Sequence, residues 1–160
     1  MMFGDQFVPS AARQAPLRAA RFRLEPVHSS ITARPTLEAF IAARFKLTYG
    51  ARVTHFLPHL IGVRDNLAGW QAGAGYAAAA RQTLFLERYL DRPVERAISA
   101  ALGQPVARSG IVEVGNLATA SSGMARTLIP ELARHLHRLG YAWVTFTATR
   151  ALRNSFRRLG

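Results

Sequence analysis

A carboxylate set among β-branched residues is the first feature of this chain that could do chemistry. Glu113 stands between Ile111, Val112 and Val114, two residues before Gly115. An acid in such a strand has two readings, because burying it unpaired is costly. Either it sits at a strand opening as a general base or amine anchor with a raised pKa, or it lies on a solvent face. The chain then runs through "LATASSGMAR", Leu117 to Arg126, where the side chains become small. Small residues let an anion approach the backbone, and the first amides of a helix point outward with partial positive charge. Ser121 and Ser122 suit a helix cap or a phosphate oxygen, and Arg126 adds charge one turn in. The plain alternative is a serine-capped connection between a strand and a helix.

A second group of charges, Glu87, Arg88, Asp91 and Glu95, crowds one segment, and its simplest reading is a set of surface ion pairs and helix caps. There is no cysteine, so disulfides and thiolate chemistry are excluded. His55 and His59 lie four apart outside any helical pattern, and His135 and His137 lie two apart on a helix and point different ways. No metal site is expected. Neither a Ser-His-acid arrangement nor a long phosphate-loop motif is present.

The net charge is +12, and since Lys46 is the only lysine among 21 basic residues, the other twenty are arginine. After Glu113, seven arginines from Arg126 to Arg158 face only Glu131. Such a field favours an anionic partner: nucleic acid, anionic lipid, an acidic carrier protein or a phosphorylated cofactor. Arginine richness also follows from a GC-rich genome. With no zinc, homeodomain or RNA-binding signature, no nucleic-acid partner is expected. No stretch approaches the roughly 18 apolar residues of a spanning helix. The opening 20 residues read as a flexible tail without a signal-peptide core, and a cytoplasmic location is expected.

These groups must be positioned by elements that the residue pattern predicts. "RFRLEPV" reads as a strand ended by Pro26. A helix follows, starting near Pro35 or Thr36, with Leu37, Phe40, Ile41, Phe45 and Leu47 on its apolar face and Gly50 past its end. Phe56–Val63 and Trp70–Ala78 form a hairpin around "RDNLAG". Gly73 and Gly75 leave one face of its second arm bare, for a backbone, a ligand or a bulge. Two short helices meet at Pro93, the first showing Leu84, Phe85 and Tyr89 and the second Val94, Ile98 and Leu102, with Asp91 as the cap of the second. "VARSGIVEVGNLA" is the next strand. A helix with Met124, Leu128, Leu132, Leu136 and Leu139 on one stripe then ends at Gly140. Pro130 requires that helix to kink or to begin near it. "YAWVTFTAT" is a strand, and "RALRNSFRRLG" a short basic helix. The alternation predicts a single domain over residues 21–160 with a mixed sheet of the α/β or α+β type.

In their order and spacing, "LFLERYLDRPVE", "IVEVGNLA", "GYAWVTFTAT" and "LRNSFRRLG" resemble the thermostable hemolysin family of bacteria, over roughly Phe40 to Gly160. The order of elements is similar to that of the GNAT acyltransferase superfamily and of its acyl-homoserine-lactone synthase branch. This resemblance implies a mostly antiparallel central sheet flanked by helices. GNAT-like proteins continue into a last strand pair, so it also implies a chain incomplete at its C-terminal end. The open edge suits a homodimer.

The resemblance further implies an acyl thioester donor, on coenzyme A or on acyl carrier protein, and an amine acceptor. Gly123 and Ala125 match the superfamily's phosphate-binding loop, while Ala120 stands where that loop carries Gln or Arg. Leu117, Ser121, Ser122, Gly123, Met124, Ala125 and Arg126 are the implied donor contacts, with Asn154 in "NSFRRLG". Glu113 matches a Glu of the synthases and is the implied catalytic residue, as base or amine anchor, although Asn116 replaces the arginine that follows it there; Glu87 is the second candidate. Gly115 and Asn116 mark either a strand splay for the pantetheine arm or a bulge. The family name carries an alternative, a membrane-active haemolytic protein that meets anionic lipid through its basic surface.

Overall fold

The computed structural model describes residues 22–27 and 32–147. The expected tail over 1–20, the basic C-terminal helix and Asn154 lie outside the described residues. Among the described residues five strands form one sheet in chain order: β1 (Phe22–Val27), β2 (His59–Asp65), β3 (Gly69–Ala78), β4 (Ile111–Thr119) and β5 (Trp143–Thr145). The first four pair antiparallel, and β5 runs parallel to β4. β1 continues through Pro26, which pairs with Ile61. The strand survives its proline because an edge strand needs donors on one side only.

The β2–β3 reversal is set by Asp65, whose carboxylate accepts the Leu67 amide at 2.8 Å and the Ala68 amide at 3.3 Å. Gly69 follows with φ 76°, the left-handed region that glycine enters without steric cost.

Among the described residues three helices cover the sheet: α1 (Ala33–Tyr49), α2 (Val94–Leu102) and α3 (Ser122–Arg138). Helix α1 starts ahead of Pro35, which loses nothing there because first-turn amides have no intrahelical acceptor. Its Leu37 and Ile41 are buried as expected, whereas Leu47 is exposed. Helix α3 runs past Pro130 and does not begin there, so the bond forgone is the one to the carbonyl four residues earlier. The first of the two short helices is a 3-10 turn, Phe85–Tyr89, whose Phe85 and Tyr89 are exposed instead of packed. A second 3-10 turn, Arg108–Gly110, occupies the expected first residues of β4.

One sheet face carries α3, with Met124, Leu128, Leu132 and Leu136 packed on Ile61, Val63, Ala74, Tyr76, Val112 and Val114. The opposite face carries α1, through Leu37 and Ile41 against Leu60 and Ala118, and the α2 region, through Leu84, Val94 and Ile98 against Ala77 and Ile111. The bare face at Gly73 and Gly75 is filled by protein. A Cβ on Gly73 would lie 2.8 Å from Leu37 Cδ1, and one on Gly75 2.9 Å from Leu57 Cβ. Glycine is required so that α1 and the segment before β2 can come this close.

Candidate functional site

The seam between β4 and α3 is shaped by one extra residue. Gly73 pairs with Ala118 and Gly75 with Gly115, so β4 holds Asn116 and Leu117 opposite Ala74 alone. This is a β-bulge, and Asn116 enters it with φ 51°. Side chains alternate along a strand, so the insertion turns the later residues of β4 to the other face. Val114 packs under α3, while Ala118 joins the core under α1. The Asn116 side chain then receives the Leu57 amide at 2.9 Å on Oδ1 and donates to the His55 carbonyl at 3.2 Å. The bulge reading of Gly115 and Asn116 is therefore realised on the β3 side.

On the other edge of β4 the described pairing is short. β4 and β5 pair through Ile111 with Trp143, Val112 with Val144 and Glu113 with Thr145, and the described pairing ends there. Beyond it, β4 runs on to Thr119 and then into α3. Glu113 thus stands at the last of the described paired positions.

Glu113 does not lie on a solvent face: it is 3% exposed and points to the α2 side of the sheet. Its Oε2 accepts the Phe85 amide at 2.7 Å and its Oε1 the Leu86 amide at 2.9 Å. Burial pushes its carboxyl above the usual value, the two amides pull it back, and the nearby Glu87 charge adds to the rise. Each oxygen retains acceptor capacity beyond its one amide.

Glu87 is held in the opposite sense. Arg108 grips it with two bonds, Nη1 to Oε1 at 2.7 Å and Nη2 to Oε2 at 2.8 Å. The Leu84 amide donates to Oε2 at 2.7 Å and the Val94 amide to Oε1 at 2.9 Å. These bonds, the Arg108 fork first, outweigh the cost of burial and hold its pKa at about 2. Glu87 therefore caps α2 in place of Asp91, which is exposed and bonds its neighbour Arg92. Arg108 also reaches Glu95 at 2.7 Å and the Ala79 carbonyl at 2.8 Å. It was not singled out by sequence reasoning, and its position one turn before a strand gave no signal of so many partners.

At the end of β4, Ser121 occupies the cap position of α3, yet its hydroxyl makes no cap bond. The amides of Ser122 and Gly123 have no acceptor among the described residues, and no acid sits in the first turn. Ser121, Ser122, Gly123 and Arg126 are exposed, Ala125 and Leu117 are half-buried, and Met124 turns its side chain into the core. A second residue that the sequence did not flag is Arg44 of α1, whose Nε donates to the Thr119 carbonyl at 2.8 Å. A guanidinium thus stands beside Ala120, where the loop itself lacks a cation. Glu113 and Glu87 share one cluster around the 3-10 turn, and the loop residues 117 to 126 gather at the other end of β4. Among the described residues no group of three or more His, Asp or Glu is arranged to hold a metal ion.

A mixed sheet in the order β1 to β5 that changes from antiparallel to parallel at β4, flanked by helices on both faces, defines a GNAT-like fold. The solved structure of TofI in a ternary complex with an inhibitor and MTA has this fold: TM-score 0.56, 14% identity, 86% of this chain and 78% of that chain covered. The model of the thermostable hemolysin family matches residues 27–160, and the chain belongs to that family. No curated protein matches the sequence.

Proposed function

We propose that this protein is an acyltransferase that takes an acyl group from a thioester, on coenzyme A or on acyl carrier protein, and passes it to an amine. The observation that carries this reading is the parallel β4–β5 pair that runs toward the uncapped start of α3 beyond the C-terminal end of β4, and in this reading the two strands part beyond Glu113 and Thr145. Ligands of open α/β sheets lie outside the carboxyl ends of parallel strands, and an extended pantetheine arm fits between strands that part. Its phosphates would meet the amides of Ser122 and Gly123, the hydroxyls of Ser121 and Ser122, and the guanidinium groups of Arg44 and Arg126.

In this scheme Glu113 removes a proton from the acceptor ammonium, and the free amine attacks the thioester carbonyl. The carbon–sulfur bond breaks as the amide bond forms, and the sulfur leaves as a thiol after taking a proton. A carboxylate raised by burial is the stronger base of the two candidates. Glu87, ionised down to about pH 2, accepts protons poorly, and its role is to position the turn that holds Glu113. The C-terminal residues with Asn154 complete the donor contacts, and a second copy of the chain covers the sheet edge.

The test is isothermal calorimetry of the full chain with acyl-coenzyme A and acyl carrier protein, followed by a transfer assay over a panel of amines. Absence of heat with both donors at high micromolar concentration rejects the proposal. With a substrate in hand, Glu113→Gln removes the rise of rate with pH, while Glu87→Gln keeps the rise and moves its midpoint to lower pH, because the Glu87 charge contributes to the raised pKa of Glu113. The haemolytic reading predicts dye release from anionic vesicles. Among the described residues no helix is long and apolar enough to cross a membrane.

A further inference from the structure

The segment from Arg81 to Leu102 spends its acids internally and turns its arginines outward. Glu87 and Glu95 are both engaged by Arg108, and Asp91 by Arg92. Arg81, Arg88 and Arg96 are exposed and form no ion pair among the described residues. The guanidinium of Arg88 lies 5.0 Å from the centre of the Phe85 ring, and Phe85 meets Tyr89 edge to face at 5.8 Å. Both rings are unusually open for their size, at 46% and 65% exposure.

Beside them runs a groove of about 520 Å³ between the 3-10 turn and α2, lined by Tyr89, Leu90, the paired Asp91 and Arg92, and the α2 residues Ala97, Ala100 and Ala101. Those alanines share one helical face, so no long side chain stops a partner backbone from approaching. Arg96 lies one turn before Ala100 on α2.

We propose that this face docks an acidic α-helix of a partner protein, the acyl carrier protein that bears the donor. The choice of carrier rests on the acyl-transfer reading; the docking face does not. Surplus positive charge around exposed aromatic rings is the composition of a protein interface, in which arginine and tyrosine supply much of the binding energy. A concave alanine floor fits a helix laid in a groove. A bilayer surface would leave that floor unfilled. The location is also apt, because the turn bearing Phe85 is tied by its own amide to Glu113, the base of the proposed transfer. A carrier bound here stands on the element that holds Glu113.

The experiment titrates the full-length chain with an acidic acyl carrier protein in its apo form, which has no prosthetic arm and so reports docking alone. Arg88→Glu with Arg96→Glu weakens binding at least about tenfold, whereas Arg134→Glu with Arg138→Glu, the same charge change on α3, weakens it less than about twofold. Ala100→Arg adds a favourable charge yet blocks the groove, and it also weakens binding. Equal losses from the two reversed pairs, tighter binding by Ala100→Arg, or patch-dependent binding to anionic vesicles without carrier binding each overturns the proposal. Acyl transfer from coenzyme A with no carrier binding removes the docking face and leaves the proposed function standing. Carrier bound at this face with no transfer from either donor does the reverse.

Discussion

Glu113 in the middle of β4 is bonded to the backbone of Phe85, 28 residues earlier in the chain, at 2.7 Å. With the Leu86 amide on its other oxygen, one buried carboxylate clasps the 3-10 turn to the sheet. In Glu113→Gln one of the two amides must face an NH₂ group instead of an oxygen. We expect a loss of roughly 1–3 kcal/mol in urea unfolding, with the fold kept. No loss would mean that the clasp contributes nothing and that the carboxylate is held for another purpose alone.

Arg108 joins Glu87, Glu95 and the Ala79 carbonyl, and its removal strands two carboxylates at once. Arg108→Met, which keeps the aliphatic stem, should cost roughly 2–4 kcal/mol by chemical denaturation. Arg108→Lys should recover only part of it, since an ammonium cannot reproduce the two-pronged grip on Glu87.

The two acids predict opposite pH limbs. Glu87 is lowered from 4.5 to about 2 by folding, so its contribution is complete above the unfolded value and is lost as pH falls from 4.5 toward 2. Glu113 is raised, so the folded state holds its proton more tightly and stability falls as pH climbs from the ordinary carboxylate value through the raised one. Melting temperatures across this range should show a flattened acid limb in Glu87→Gln. Glu113→Gln should instead flatten the decline on the higher side. An unchanged acid limb in Glu87→Gln would contradict the assignment.

Asn116 serves the bulge twice, by tolerating φ 51° and by holding the segment at His55 and Leu57. Asn116→Gly keeps the conformation and loses the side-chain bonds, which should cost about 1–2 kcal/mol. Asn116→Val loses the bonds and adds a β-branched side chain at positive φ, for roughly 1–3 kcal/mol more. Thermal melts of the two variants side by side separate the contributions. Equal stabilities would show that the backbone conformation carries no strain.

Local signals read well wherever the chemistry was local. "RDNLAG" put an acid and a glycine where the β2–β3 turn uses them, and the stripe from Met124 to Leu136 predicted the buried face of α3. The same periodicity failed at Phe85 and Tyr89. They continue the apolar pattern of Leu84, but a five-residue 3-10 turn spaces side chains differently and leaves both in solvent. Asp91 read as the α2 cap because it is near Pro93; the cap is Glu87, seven residues before the amide it holds at Val94. The small residues from Ala118 to Ala125 announced the seam, but not that Arg44 would stand there.

The sequence by itself determined the order of elements, the strand-to-helix seam at Leu117–Arg126 and the basic character, because propensity, periodicity and charge are properties of neighbouring residues. Only the tertiary structure decided that Glu113 is buried and clasped, that Glu87 is locked by Arg108 from 21 residues away, and that Arg44 reaches Thr119 across 75. The physical reason lies in strand register. One extra residue at Asn116–Leu117 changes which face every later side chain of β4 meets, and no local pattern records that count.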